Sequence, residues 1–346
     1  MKFLVTGGAG FIGSCFVRMI LGERQGDSVI NLDKLTYSGN LENLAGLDQN
    51  PRYSFVQGDI CDAGLTTVLM RDEKPDVIVH FAAESHVDRS ILSPDPVFQT
   101  NLRGTFTLLE AARVNGIGRF THVSTDEVYG SIEPPAEADE MFPLRPSSPY
   151  SASKAGSDLL ALSYFTTYKM PVVVTRASNN YGPYQFPEKL IPLMISNALD
   201  NVALPVYGDG QQIRDWLYVE DHCRGILSVA LKGRTGEIYN IGGNRSIANL
   251  EVVHKILEAT GRPDTLIRYV TDRPGHDRRY ALSSEKILHE TGWSPQTTFE
   301  QGLARTIQWY RENTGWLERV KSGEYQKFYI QNYSSRDVLN ASIDRN

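Results

Sequence analysis

At 346 residues the chain is long for one domain and short for three, so two lobes are expected, and 41% hydrophobic residues suffice for a sizeable core. The formal net charge of −6, with acids and bases interspersed, excludes the clustered positive charge of a nucleic-acid-binding surface, so any anionic ligand must meet a local basic cluster. Cys15, Cys61 and Cys223 suit neither a disulfide frame nor zinc spacing, the opening Met-Lys-Phe-Leu-Val run is too short for a signal peptide, and no stretch reaches the ~20 apolar residues of a membrane span; a soluble cytoplasmic protein with no metal site is expected.

In chain order, Lys2–Thr6, Ser28–Asp33, Tyr53–Gly58, Asp76–Phe81, Arg119–Ser124 and Val172–Arg176 read as strands, with helical periodicity at Phe11–Gly22, Pro94–Asn115 and Tyr150–Lys169. The strands are nearly all apolar, as when both faces of a parallel sheet are covered by helices. After residue 177 the rhythm breaks. Pro183, Pro187, Pro192 and Pro205 punctuate a loop-rich stretch, followed by Glu220–Lys232 (helix), Glu237–Ile241 (strand), Leu250–Gly261 (helix) and Phe299–Asn313 (helix). This reads as an α/β protein, a Rossmann-type doubly wound parallel sheet over 1–177 carrying a smaller α/β lobe over 178–333. The polar tail at 334–346 is expected to be loosely held.

Thr6-Gly7-Gly8-Ala9-Gly10-Phe11-Ile12-Gly13 follows the first strand and opens the first helix. Gly7, Gly10 and Gly13 permit a tight turn and close approach of a pyrophosphate to the helix N-terminus. A glycine turn alone needs no ligand. Strand before, helix after and Asp33 at the end of the second strand together point to a dinucleotide, because a carboxylate there accepts the ribose hydroxyls. It would repel a 2′-phosphate, which favours NAD over NADP, although Lys34 beside it pulls the other way.

Tyr150-Ser151-Ala152-Ser153-Lys154 places a phenol and an ammonium on one helix face. Lys154 is expected to lower the Tyr150 pKa, so that a phenolate takes a proton from a sugar hydroxyl as hydride leaves the same carbon. A surface pair at this spacing is the plainer alternative. Ser124-Thr125-Asp126-Glu127 ends the fifth strand at the carboxyl edge, where ligands sit in open α/β sheets. Two adjacent carboxyls there push their pKa values apart and give one acid and one base. His86, beside Asp88, reads as structural rather than catalytic. Gln211–Trp216 and Asp272–Arg279 carry arginines whose planar forks suit a diphosphate, though some must pair with Asp215, Asp272 or Asp277. The amides of Asn179 and Asn180 follow the sixth strand.

These segments resemble the extended short-chain dehydrogenase/reductase family and, within it, the dTDP-glucose 4,6-dehydratases. The resemblance runs from about Met1 to Tyr333 and rests on TGGAGFIG at 6–13, DKLTYSGN at 33–40, AAESHVDRS at 82–90, STDEVYG at 124–130, YSASKAGSD at 150–158, SNNYGPYQFPEKLIPL at 178–193, GQQIRDWLYVEDH at 210–222 and DRPGHDRRYAL at 272–282. Related sugar epimerases carry small polar residues where this chain has Asp126-Glu127. The resemblance implies a lyase that oxidises dTDP-glucose at C4, eliminates water across C5/C6 and returns hydride to C6, giving dTDP-4-keto-6-deoxyglucose. Thr125, Asp126, Glu127, Tyr150 and Lys154 would be catalytic. Phe11, Ile12, Lys34, Leu35, Thr36, Asp59, Ile60, Phe81, Ala82, Ala83, Ser85, Thr100 and Asn180, with the three glycines and Asp33, would line an NAD site. Ser85, Thr125, Asn179, Lys189, Leu190, Pro205, Tyr207, Arg214, Asn249, Asp272, Arg273 and His276 would line the nucleotide-sugar site. The same chemistry on a UDP-hexose, a UDP-hexose 4-epimerase or decarboxylase, and a non-catalytic dinucleotide sensor are the competing readings. The resemblance also implies a homodimer, through helices like Pro94–Asn115 and Tyr150–Lys169.

Overall fold

The computed structural model describes residues 1–322, 324–333 and 336; the rest of the tail at 334–346 lies outside the described residues. Its central sheet is parallel throughout. In chain order the strands are β1 (Lys2–Thr6), β2 (Ser28–Asp33), β3 (Tyr53–Gln57), β4 (Val77–His80), β5 (Phe120–Thr125), β6 (Val172–Ala177), β7 (Asn179–Tyr181), β8 (Leu204–Tyr207), β9 (Ile213–Tyr218), β10 (Ile238–Ile241), β11 (Ser246–Ala248) and β12 (Ile267–Val270). Seven of them form the sheet in the order β10-β6-β5-β4-β1-β2-β3. The order reverses between β1 and β4, and ligands sit at the carboxyl ends beside such a switch point. β4, β5 and β6 are buried along their whole length, the apolar residues of β4 and β6 and the polar Thr121, His122, Thr175 and Arg176 alike.

The division expected at residue 177 is crossed. β10 returns to pair with β6, and the helix Val219–Lys232 packs its Val219, Cys223, Ile226 and Val229 into the same core as Phe16, Val17 and Ile20 of the first helix. A second core forms around Tyr181, Met194, Trp216, Ile256, Leu303 and Trp316. It is braced by the small sheets β11-β9-β7 and β12-β8.

Two local readings change. Leu190–Leu199 is a helix, not loop. Pro192 is the third residue of its first turn, where the missing N–H has no intrahelical partner to lose. The helical stretch read as Pro94–Asn115 is in three pieces, with a π-helical segment Gln99–Gly104 between Asp95–Phe98 and Thr105–Val114. The segment carries Thr100 and Asn101. Asn101 exchanges hydrogen bonds with the Glu84 backbone and reaches Ser153 Oγ at 2.9 Å.

One buried network fixes the parts that matter for chemistry. The helix Pro149–Tyr168 starts at Ser148, whose side chain caps it, with Pro149 at the first position. One turn past Lys154, Asp158 accepts from Arg176 Nε at 2.8 Å. Arg176 on β6 also donates to Tyr129 Oη at 2.9 Å, and Tyr129 donates to Asn240 on β10 at 2.8 Å. The turn Asp126–Tyr129 and the helix bearing Tyr150 are thereby tied to one strand. Removing one partner of such a buried pair typically costs ~3–5 kcal/mol.

Candidate active site

The glycine turn makes a cradle that side chains would fill. Gly7 has φ +75°, and a Cβ there would stand 2.6 Å from the Ala82 nitrogen; one on Gly13 would stand 2.2 Å from the Gly7 carbonyl oxygen. The helix Phe11–Glu23 begins at Gly10 with no side-chain cap, so its leading N–H groups face a ligand-sized space. Asp33 is buried beside it. Its two oxygens accept from the Ala9 N–H at 2.9 Å and the Leu35 N–H at 2.8 Å, and burial pushes its pKa up. Lys34 is not a free cation, since its Nζ lies 2.7 Å from Asp59. The lysine that seemed to weaken the preference for NAD is therefore already neutralised.

From this cradle a cleft runs across the ends of β4, β5 and β6 to the second lobe. Asp126 is 2% exposed. Burial, then the neighbouring Glu127 and Asp215, drive its pKa well above the carboxylate range. Glu127 is also raised by burial, but Arg273, Lys189 and Arg214 oppose the rise. The same turn thus holds one carboxyl that keeps its proton and one that three cations draw toward ionisation. Thr125 links them: its Oγ lies 3.3 Å from Asp126 Oδ1 and accepts the Glu127 N–H at 3.2 Å.

Tyr150 departs from expectation. Its pKa is raised, first by burial and then by Glu127, with a Thr125 hydrogen bond pulling down. Lys154 does not reverse this because its Nζ donates to the Val123 carbonyl at 2.7 Å. Burial lowers the lysine itself to about 8, against the pull of Asp158. The phenol is therefore neutral in this arrangement.

On the far wall, Arg214 is 4% exposed and stacks over the Tyr280 ring at 4.2 Å. It donates to the carbonyls of Ile213 and Asp277, both at 2.8 Å, rather than pairing with a carboxylate. It sits on β9, a strand where loop was expected. Lys189 Nζ donates to the Ser85 carbonyl at 2.6 Å. Arg278 pairs with Asp209 at the surface and Arg279 donates to the carbonyls of Ile132 and Ala136, so neither faces the cleft. Several buried polar atoms that line it have no partner among the described residues: Ser124 Oγ, Asn179 Oδ1, Asn180 Oδ1, Gln185 Oε1, Asn249 Oδ1 and Arg273 Nε. Unsatisfied buried atoms are costly, and a polar ligand spanning the cleft would satisfy them.

Residues 4–306 match the family model described as GDP-mannose 4,6 dehydratase. A dTDP-glucose 4,6-dehydratase of Shigella flexneri is 52% identical over 361 residues, covering 97% of this chain and all of the relative. One from Actinoplanes sp. is 55% identical over 324 residues, covering 91% and 99%. The chain belongs to the dTDP-glucose 4,6-dehydratase family. A crystal structure from the family, of the Streptomyces venezuelae enzyme with NAD bound, superposes with a TM-score of 0.90 at 54% identity, covering 93% of this chain and all of that one.

Set against this family, nearly every site residue expected from the sequence lines the one cleft. Leu35 and Asp272 do not. Leu35 has φ +57° and turns its side chain onto the first core, contributing its N–H to Asp33 instead. Asp272 stands behind the wall, where its oxygens hold His276 Nδ1 at 2.6 Å and Gln212 Nε2 at 2.8 Å. His86 caps the helix Val87–Leu92, sits 3.3 Å from the Glu188 carbonyl and also borders the cleft. The cleft also includes Asp88, Glu188, Gln212, His222 and Tyr333, which sequence reasoning did not place there. Asp88 and Glu188 lie inside the segments AAESHVDRS and SNNYGPYQFPEKLIPL, two places from His86 and next to Lys189. Tyr333 ends a helix, Glu324–Tyr333, with no motif to announce it. Among the described residues no helix is long and apolar enough to cross a membrane.

Proposed function

We propose that the protein is an NAD-dependent hydro-lyase that converts dTDP-glucose to dTDP-4-keto-6-deoxyglucose. The observation that carries this reading is the pair of buried Asp126 and half-buried Glu127, with opposed surroundings, beside Tyr150. NAD, held by the glycine cradle and Asp33, supplies the hydride acceptor for C4, the hydride donor for C6 and a positive ring near the phenol. Tyr150, hydrogen-bonded to Thr125, with Lys154 on the same helix face, would be drawn to the phenolate by that positive ring and so take the proton of the C4 hydroxyl. The 4-keto group acidifies C5–H, and Glu127 removes that proton. Asp126 gives its proton to the C6 hydroxyl, which leaves as water. A proton then returns to C5, so the substrate loses one water with no net oxidation. An epimerase needs no such acid–base pair.

Residues 1–177 chiefly hold cofactor and chemistry, and 178–333 chiefly hold the nucleotide sugar through Asn179, Lys189, Tyr207, Arg214, Asn249 and Arg273. The enzyme acts as a cytoplasmic homodimer: Phe98, Phe106, Leu159 and Tyr168 stand exposed on the helical segments 95–114 and 149–168, an apolar face of the kind that subunit contacts cover. Incubation with dTDP-glucose and UDP-glucose in parallel tests the reading. Loss of one water from dTDP-glucose, with keto product detected in alkali, is expected. Faster turnover of UDP-glucose would move the substrate to a UDP-hexose, and C4 epimers without water loss would make the protein an epimerase.

A further inference from the structure

Asp88 is a buried carboxylate, 4% exposed, on the short helix Val87–Leu92 of the first lobe. Among the described residues, the polar contacts of its oxygens reach across the cleft to the second lobe and the C-terminal helix. Oδ1 lies 3.3 Å from Arg273 Nη1. Oδ2 accepts from Tyr207 Oη at 2.8 Å and from Asn332 Nδ2 at 3.5 Å. Asn332 in turn donates to Tyr207 Oη at 2.9 Å, and the Arg336 guanidinium covers the Tyr207 ring at 4.4 Å. A long guanidinium has many rotamers to lose, and an ion pair on one of its edges removes that freedom before a ligand arrives. Held this way, Arg273, which borders the cleft, leaves its buried Nε without a partner among the described residues. The Arg273 charge also heads the cations that oppose the rise of Glu127.

We propose that Asp88 is a positioning residue: it holds Arg273, together with Tyr207 and Asn332, in the posture that presents the guanidinium to the substrate diphosphate, and so makes the C-terminal helix part of the binding site. This rests on the dTDP-sugar reading of the cleft. It acts through Arg273, so its signature is non-additivity.

The test measures thymidine 5′-diphosphate binding to the NAD-loaded protein by calorimetry, for wild type, Asp88→Asn, Arg273→Gln and the double variant. Asp88→Asn should weaken binding about tenfold and raise KM for dTDP-glucose by a similar factor, with kcat changed less. In the Arg273→Gln background the same substitution should cost less than twofold. Unchanged affinity in Asp88→Asn, or an equal loss in both backgrounds, overturns the proposal. Should Asp88→Asn fail to fold, Asn332→Ala removes one amide and no charge. It should weaken binding about threefold, and unchanged affinity there overturns the proposal equally. A wild-type protein that does not bind thymidine diphosphate refutes the reading of the cleft instead.

Discussion

Lys154 directs its ammonium at the Val123 carbonyl, 2.7 Å away. It is a buried charge held by one backbone oxygen, and its pKa falls from 10.5 to about 8. Both folded and unfolded chains carry the proton below about pH 8, where the folded state bears the desolvation cost in full. Between about 8 and 10.5 the folded protein loses the proton first, and stability rises with pH. Lys154→Met should therefore be more stable than wild type at pH 7, on the order of 1–3 kcal/mol, with the gain fading by pH 10.5. Its turnover should collapse. Urea midpoints at the two pH values read the first claim, and a variant weaker than wild type at pH 7 contradicts it.

Tyr150→Phe removes the hydroxyl and little else from a packed site. Turnover should fall ~10²–10⁴-fold, the usual worth of a general base. The folded state should lose only about 1 kcal/mol, since the phenol's hydrogen-bond partner, the Thr125 hydroxyl, keeps its contacts with Asp126 and the Glu127 N–H. Wild-type turnover in this variant would remove Tyr150 from the reaction.

Cofactor identity follows from Asp33 and the Lys34–Asp59 pair. A cycle that returns its hydride has no need to release the cofactor, so NAD should stay with the purified protein. Chromatography of the supernatant after denaturation should find NAD. Mostly NADP would mean that the Asp33 carboxylate does not face the ribose.

Much of this was legible in the sequence, for physical reasons. The first six strands stand out because both faces of a parallel sheet are covered, which leaves apolar runs bounded by turns. The turn Asp126–Tyr129 stands out because two adjacent acids at the carboxyl edge of the sheet are costly there, desolvated and mutually repelling, unless their chemistry is used. β9 was not legible. Its Ile213-Arg214-Asp215-Trp216 begins with charges that a short window assigns to solvent, yet both are buried. Their partners come from far along the chain: the Asp277 carbonyl for Arg214, and the N–H groups of Gly243 and Arg245 for Asp215. The Leu190–Leu199 helix was hidden by Pro192. The neutral Tyr150 was hidden because helix spacing places Lys154 on the same face without saying where its ammonium points.

Arg214 is buried without a carboxylate partner among the described residues, which suits a cation kept for a ligand anion. Arg214→Ala should mainly raise KM, because a diphosphate is held alike in ground and transition states. Loss of one charge-assisted contact costs on the order of 1.5–3 kcal/mol. An unchanged KM would mean that the diphosphate binds elsewhere.

The pair Asp126 and Glu127 gives the sharpest test of dehydration itself. On the proposed mechanism, oxidation at C4 uses Tyr150 and NAD and neither carboxyl directly, whereas elimination uses both, Glu127 to take the C5 proton and Asp126 to protonate the departing C6 hydroxyl. Their environments fit the division: Asp126 is driven to keep its proton by burial and two acidic neighbours, whereas Arg273, Lys189 and Arg214 hold Glu127 closer to ionisation. Asp126→Asn with Glu127→Gln keeps the shape and removes the proton chemistry. In a single turnover with dTDP-glucose the double variant should still reduce its NAD, seen as absorbance near ~340 nm, and should form keto-deoxy product ~10²–10⁴-fold more slowly per group lost. Substrate deuterated at C5 should keep its label long after wild type has washed it out. Dehydration at the normal rate would leave the pair with no more than a structural part. Failure to reduce NAD would show that C4 oxidation depends on these carboxyls as well, and the division of labour along the cleft would have to be redrawn.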